Sequence, residues 1–166
     1  LESDLKKIKT PLTLSLCADK SDTKACGHLQ LHEMINPDLL YTNYFYRSAT
    51  SDTMRKDLKD VVNSVVKIVK PNDKDVVVDT GSNDCTLLNF YPGSLQLVGF
   101  EPAKNIKYID EGKNIKVIPN YFNAKNFKDN FNKKAKIVTS CAMFYDLENP
   151  KSFVKDIEEI LDDEGI

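Results

Sequence analysis

The stretch VVVDTGSNDCTLL, residues 76–88, decides the fold. Three consecutive valines between Asp75 and Asp79 predict a strand over 75–79 buried on both faces, the pattern of a parallel sheet covered by helices. The polar run Asp79-Thr80-Gly81-Ser82-Asn83-Asp84-Cys85 then reads as a loop at the strand's carboxyl end. In open α/β sheets ligands bind at that end, where the strand order reverses.

The flanking sequence repeats the theme. Upstream, Ser51 or Asp52 can cap a helix in which Leu58, Val61, Val62, Val65, Ile68 and Val69 recur at helical spacing, and Pro71-Asn72-Asp73 stops it. Downstream, the pattern predicts a short helix over 86–90, a strand over 95–100 and a helical turn after Pro102. A strand over 115–118, a helix over 124–131 and a strand over 137–140 follow. The last helix, over 150–161, carries Phe153, Ile157, Ile160 and Leu161 on one face. Strands alternating with helices imply right-handed crossovers and a mostly parallel sheet, so the fold class is α/β. Residues 1–43 lack either period and read as an irregular lead-in with short strands over 12–16 and near 29–32. The expected division is a small N-terminal module over 1–50 and an α/β domain over 51–166.

Composition bounds the function. The chain has 166 residues, 41% of them hydrophobic and 29% charged, with a formal net charge of −2. That is enough for one domain with a real core. Lysines are interleaved with carboxylates, so no basic face points to nucleic acid. No apolar run approaches the roughly 18 residues of a membrane span, and no signal peptide is visible. Four cysteines without a secretory signal favour free thiols and a cytoplasmic location.

The loop itself speaks against a pyrophosphate. It has one glycine, Gly81, where a dinucleotide loop wants G-x-G-x-x-G, and carboxylates at Asp79 and Asp84 would repel phosphates. A cationic ligand suits it better, and S-adenosylmethionine, with sulfonium and ammonium charges, fits. The next strand ends in Gly99-Phe100-Glu101-Pro102, and an acid about 20 residues after the loop can accept hydrogen bonds from both ribose hydroxyls. Nicotinamide enzymes of Rossmann type share that device, so Glu101 alone does not choose between the two. A solvated loop acid is the bland alternative.

Taken together, PLTLSLC…ACGHLQL, YFYRSATSDTM, VVVDTGSNDCTLLNFYP, GFEPAKNI and KIVTSCAMFYDLENPKSFVKDIEEILDDEGI resemble the class I S-adenosylmethionine-dependent methyltransferases. The similarity is closest to the family that methylates carbon on nucleotide-linked keto-sugars, and it covers most of the chain from Pro11 onward. The resemblance implies that Asp79, Gly81, Ser82 and Asn83 cradle the methionine part of the cofactor and that Glu101 and Pro102 flank its ribose. By the same resemblance Asn120 and Tyr121 lie near the adenine. Ser140, Cys141 and Ala142 would form the floor beside the methionyl group, and Tyr46, Arg47 and Ser48 belong to a segment that closes over the cofactor. Hydrophobic packing of the lead-in explains the aromatics of that segment equally well.

One position departs from the family pattern. Cys85 stands where the family commonly has glycine, and a left-handed backbone there would cost on the order of 1 kcal/mol. Cys85 and Cys141 are expected near one another as free thiols. Cys17 and Cys26 resemble the second cysteine pair of the family's N-terminal zinc module, with His28 and His32 as possible substitutes for the first pair.

The catalytic residues of the resembling family follow its fifth strand. Asp162 to Ile166 reads as a helix end, a turn and the start of such a strand, so the chain reads as a piece of something longer, inactive alone. Tyr145 and Asp146 are candidates to face substrate. An open edge on the fourth strand of the domain would favour self-association. Two other readings stay open: a nicotinamide-type Rossmann enzyme, and a non-catalytic binding module in which Cys85 marks a decayed cofactor site.

Overall fold

The computed structural model describes residues 10–18 and 24–166. The chain divides into two compact units, Leu1–Leu40 and Tyr41–Ile166, so residues 41–50 belong with the α/β part. In the first unit, β1 (Leu14–Leu16) pairs antiparallel with β2 (Leu29–Leu31), with Leu14 opposite Leu31 and Leu16 opposite Leu29. Cys17 and Gly27 extend the ladder, the Cys17 amide donating to the His28 carbonyl and the Gly27 amide to the Cys17 carbonyl. The Thr13 amide and hydroxyl both donate to the Glu33 carboxylate, which holds the ribbon's other end. A five-residue helix, α1 (Pro37–Tyr41), follows.

The second unit opens with a 3-10 turn, Ser48–Thr50, and α2 (Asp52–Val69). Ser51 caps α2, its hydroxyl accepting from the Met54 amide, and Lys70 ends it with a left-handed backbone before Pro71. Leu58 and Val62 are the buried centre of the helix stripe. Val61 and Ile68, expected in that stripe, are exposed; at 100° per residue they fall on its flank and face water.

The sheet consists of β3 (Val76–Thr80), β4 (Gln96–Phe100), β5 (Lys116–Ile118) and β6 (Ala135–Thr139), all parallel, in the order β5-β4-β3-β6. Two helices, α3 (Ala124–Lys128) and α4 (Pro150–Ile160), cross over between and after the last two strands, each capped by an asparagine, Asn123 and Asn149. The valine run splits by period two. Val77 packs into a cluster with Leu58, Val62, Leu88, Tyr91 and Leu97, while Val76 and Val78 pack with Val98, Phe100, Phe127 and Ile160 on the other face. The sheet is thus covered on both sides, as the opening stretch requires. Beyond β6, Leu161 bridges to Ala135, and Ile166 exchanges hydrogen bonds with Lys136 and Val138, so part of that outer edge is paired within the chain.

Two predicted helices come out shorter. The helix over 86–90 is only a 3-10 turn, Leu88–Phe90, because the Asp84 carboxylate takes both the amide and the hydroxyl of Thr86 and Cys85 is left-handed. The helix over 124–131 ends at Lys128, its last turn tightening as the Asn130 amide reaches the Phe127 carbonyl. Among the described residues no helix is long and apolar enough to cross a membrane.

Candidate functional site

The strand order 5-4-3-6 reverses between β3 and β6, and the loops leaving their carboxyl ends converge there. The β3 loop is fastened to the end of β4. Gly81 and Ser82 both donate their amides to the Phe100 carbonyl, at 2.8 and 2.9 Å, and the Asn83 amide donates to Glu101 Oε2 at 2.8 Å. Gly81 has φ +93°, a conformation that favours glycine. Gly81 and Glu101 are therefore held close together, by way of Phe100 and Asn83.

Glu101 is buried, and its other oxygen accepts from the Ala103 amide at 2.9 Å. Burial raises its pKa; the Ala103 and Asn83 amides and the Arg47 charge oppose that rise. A carboxylate offers about four acceptor positions, so each oxygen keeps room for a hydroxyl after taking one amide. Asp79 lies one strand over, fully buried, with Thr139 Oγ1 donating to its Oδ1 at 2.7 Å. Burial pushes its pKa up to about 7, the Thr139 hydrogen bond pulling down and the Glu101 charge adding to the rise. Two buried acids with little cationic compensation, around a glycine, make a site that gains from a positively charged ligand with hydroxyls. The residues present fit S-adenosylmethionine on that ground.

The 46–48 segment is tied to the same loop. Asn83 Oδ1 accepts from the Ser48 amide at 3.0 Å, Asn83 Nδ2 donates to the Tyr46 carbonyl at 3.2 Å, and Asp84 Oδ2 accepts from the Ala49 amide at 2.9 Å. Arg47 Nη1 donates to the Tyr44 and Tyr46 carbonyls, and its Nη2 donates to the Asn105 carbonyl. Its guanidinium thus braces the strap against the turn after Glu101 and Pro102. Asp84, read from sequence as a second acid facing the ligand, is spent on Ala49 and Thr86.

The remaining predicted residues sit around this junction in different degrees. Glu101 donates its amide to the Ile118 carbonyl, which brings the end of β5 alongside; Asn120 and Tyr121 follow it and are exposed. An edge-to-face chain of rings, Phe100–Phe122–Phe153–Phe144, supports the loops after β4, β5 and β6 from below. Ser140 and Cys141 are half-buried at the end of β6, and Ala142 is exposed with φ +54°. Ser82 is buried, with its side chain over Gly99. Sequence reasoning missed Thr139, the hydrogen-bond partner of Asp79, and Met143, which lies over Gly81. A threonine ending a strand beside an acid-bearing strand was the available signal for the first.

Cys85 and Cys141 are free thiols, Cys141 packing against the cluster that contains Cys85. Burial pushes their pKa values up to about 12 and about 11, so both are inert. Cys85 has φ +68°, the left-handed backbone that its place in the loop foreshadowed. A consequence follows for stability. Cys85→Ala loses the buried sulfur and keeps the strain, and is expected to cost about 1–2 kcal/mol. Cys85→Gly loses the same sulfur and relieves the strain, so it should unfold at higher urea than Cys85→Ala. That inverts the usual ordering, in which alanine is about 0.5–1 kcal/mol better; glycine less stable than alanine would refute the strain.

In the first unit, Cys17 and Cys26 are exposed, and hydrogen bonds from the His28 amide and the Cys17 thiol lower the Cys26 pKa. His32 Nδ1 is engaged with Ser15 Oγ at 3.1 Å. Among the described residues no three His, Cys, Asp or Glu side chains are grouped to hold a metal ion. A closed zinc site needs four ligands, and Cys17 and Cys26 with the other described residues do not supply them.

No protein-family model matches the chain. It is similar to the C-methyltransferase NovU of Streptomyces niveus, 27% identical across 58% of this chain and 26% of that protein. Among solved structures it is similar to the plantazolicin methyltransferase BpumL. The complex with a triazolic desmethylPZN analog and SAH gives a TM-score of 0.51 at 15% identity, over 69% of this chain and 45% of that one. The pentazolic complex gives 0.50 at 16%, with the same coverage. The chain therefore spans about a quarter of the curated relative and less than half of the structural one. What the likeness establishes is the fold: an α/β, Rossmann-like methyltransferase fold with a parallel sheet.

Proposed function

We propose that the chain is part of an S-adenosylmethionine-dependent methyltransferase and that its Tyr41–Ile166 unit holds the cofactor. The observation that carries this reading is the junction of the Gly81–Asn83 loop with Glu101 at the switch point, with Asp79 buried beside it. Glu101 would accept the two ribose hydroxyls. Asp79 would face the ammonium of the methionyl chain, Gly81 would let that chain approach the backbone, and Ser140, Cys141 and Ala142 would border it. Asn120 and Tyr121 would flank the adenine, and Tyr46 and Ser48 would close the strap that Arg47 braces. Bound there, the cofactor supplies an electrophilic methyl group.

The finer reading is carbon methylation of a nucleotide-linked keto-sugar. Its support is the run of motifs from Pro11 to Ile166 and the similarity to a C-methyltransferase. A nicotinamide cofactor is disfavoured, because its diphosphate would meet the Asp79 carboxylate and a loop with one glycine.

Calorimetry separates the two. S-adenosylhomocysteine is expected to bind the chain with micromolar affinity and NAD not at all, and Glu101→Ala should weaken the first by about a hundredfold, the loss of two charge-assisted hydrogen bonds. Binding of NAD in its place would sink the reading.

A further inference from the structure

The loop after β6 turns back at Ala142, whose φ of +54° returns Met143 across the end of β3. A Cβ built on Gly81 would lie 3.4 Å from Met143 Cγ and 3.8 Å from its Cβ, so the methionine chain covers the bare face of that glycine. Its sulfur is addressed by two hydroxyls: Ser140 Oγ at 2.9 Å and Thr80 Oγ1 at 3.9 Å. Met143 is half-buried there. The one face of the loop that lacks a side chain of its own is thus filled by a flexible thioether from elsewhere in the chain.

We propose that Met143 is a built-in occupant of the donor pocket, filling the place over Gly81 that the thioether-bearing amino-acid chain of the ligand takes and moving out to admit it. The inference rests on the cofactor reading above and deepens it by naming the group that competes with the ligand. Chemistry favours the exchange. Methionine and the homocysteine portion of the ligand carry the same soft sulfur on an unbranched chain, so one fills the volume the other leaves. Unbranched methionine has three rotatable side-chain bonds and can vacate the site without moving β6. Its departure frees Ser140 Oγ, which then has a hydrogen bond to offer the incoming ligand. An occupant that must leave first reduces apparent affinity by the fraction of time the place is open.

The chain has three methionines, Met34, Met54 and Met143, so methyl-13C labelling gives three resolvable signals, and Met143→Ala identifies one of them. Titration of the 166-residue chain with S-adenosylhomocysteine is expected to move the Met143 signal to that of an exposed methionine while Met34 and Met54 stay in place. By calorimetry Met143→Ala is expected to bind about tenfold tighter, the factor that burying roughly half of a thioether chain is worth. The labelled parent chain gives its answer whether or not the variant folds. Heat of binding with an unmoved Met143 signal, or equal or weaker binding by a folded Met143→Ala, overturns the occupant and leaves the cofactor reading in place. No heat from either protein overturns the cofactor reading, and the occupant with it.

Discussion

Asp79→Asn is expected to stabilise the chain at pH 8 by about 4 kcal/mol while abolishing the binding of S-adenosylhomocysteine. Asp79 is fully buried at the end of β3, and its pKa rises from an ordinary 3.8 to about 7. A carboxyl whose folded-state pKa is raised holds its proton more tightly in the folded chain. Its contribution to stability is therefore fully present below about pH 4 and lost as pH climbs through about 7. At pH 8 the charge is buried with Glu101 near it and one hydroxyl, Thr139, to hold it. Asparagine has the same shape, keeps an oxygen for Thr139 and carries no charge. Urea unfolding should show the gain at pH 8, close to 10 °C in melting temperature, and almost none at pH 4. A gain of equal size at both pH values would mean that charge burial is not the cause.

The same carboxyl sets the pH dependence of ligand binding. An ammonium group set against Asp79 favours the ionised form, so binding below pH 7 must release a proton. Affinity should climb about tenfold per pH unit up to about 7 and level off above it. Asp79 thus holds a strained charge that weakens the empty fold and strengthens the loaded one, a trade common where a site is built for binding.

How much of this was legible beforehand depends on whether the cause was local. Val76 to Val78 declare a strand buried on both sides because nothing else accommodates three valines between acids, and alternation with helices then gives the parallel sheet. Gly81 and Glu101 could be paired because the switch-point rule converts a spacing in sequence into a meeting in space. The left-handed backbone at Cys85 was legible only through the resemblance, because the resembling family commonly has glycine at that position. What stayed hidden was non-local. Arg47 looks in sequence like a charge near a cofactor, yet three carbonyls from Tyr44, Tyr46 and Asn105 consume it, and only the folded turn supplies the third. Asp84 looks like a ligand acid and is instead a clasp for Ala49 and Thr86. Met143 reaches Gly81 across more than sixty positions of chain, and no local pattern announces such a contact.

Gly99→Ala is the complementary case, a single methyl expected to damage both fold and site. Gly99 lies in β4 beside Asp79, and a Cβ there would come within 2.4 Å of Ser82 Oγ and 2.8 Å of Ser82 Cβ, with Leu88 Cδ1 at 3.3 Å. Rotating the serine hydroxyl away relieves only the first contact. The second involves the atom next to the backbone, so the loop itself must lift, and Ser82 cannot lift while its amide holds the Phe100 carbonyl. Overpacking of this kind costs about 1–3 kcal/mol, and breaking the Ser82 and Asn83 anchors to β4 puts the expected loss at the top of that range. Lifting the loop also draws the Asn83 amide from Glu101, so affinity for S-adenosylhomocysteine should fall by at least about tenfold. Adding Ser82→Gly removes both offending atoms and should restore a large part of the stability and binding, a coupling of about 1–2 kcal/mol in a double-mutant cycle. Strictly additive losses in the double variant would mean that Ser82 and Gly99 do not touch, and the loop would then lack the seat on β4 that aligns it with Glu101.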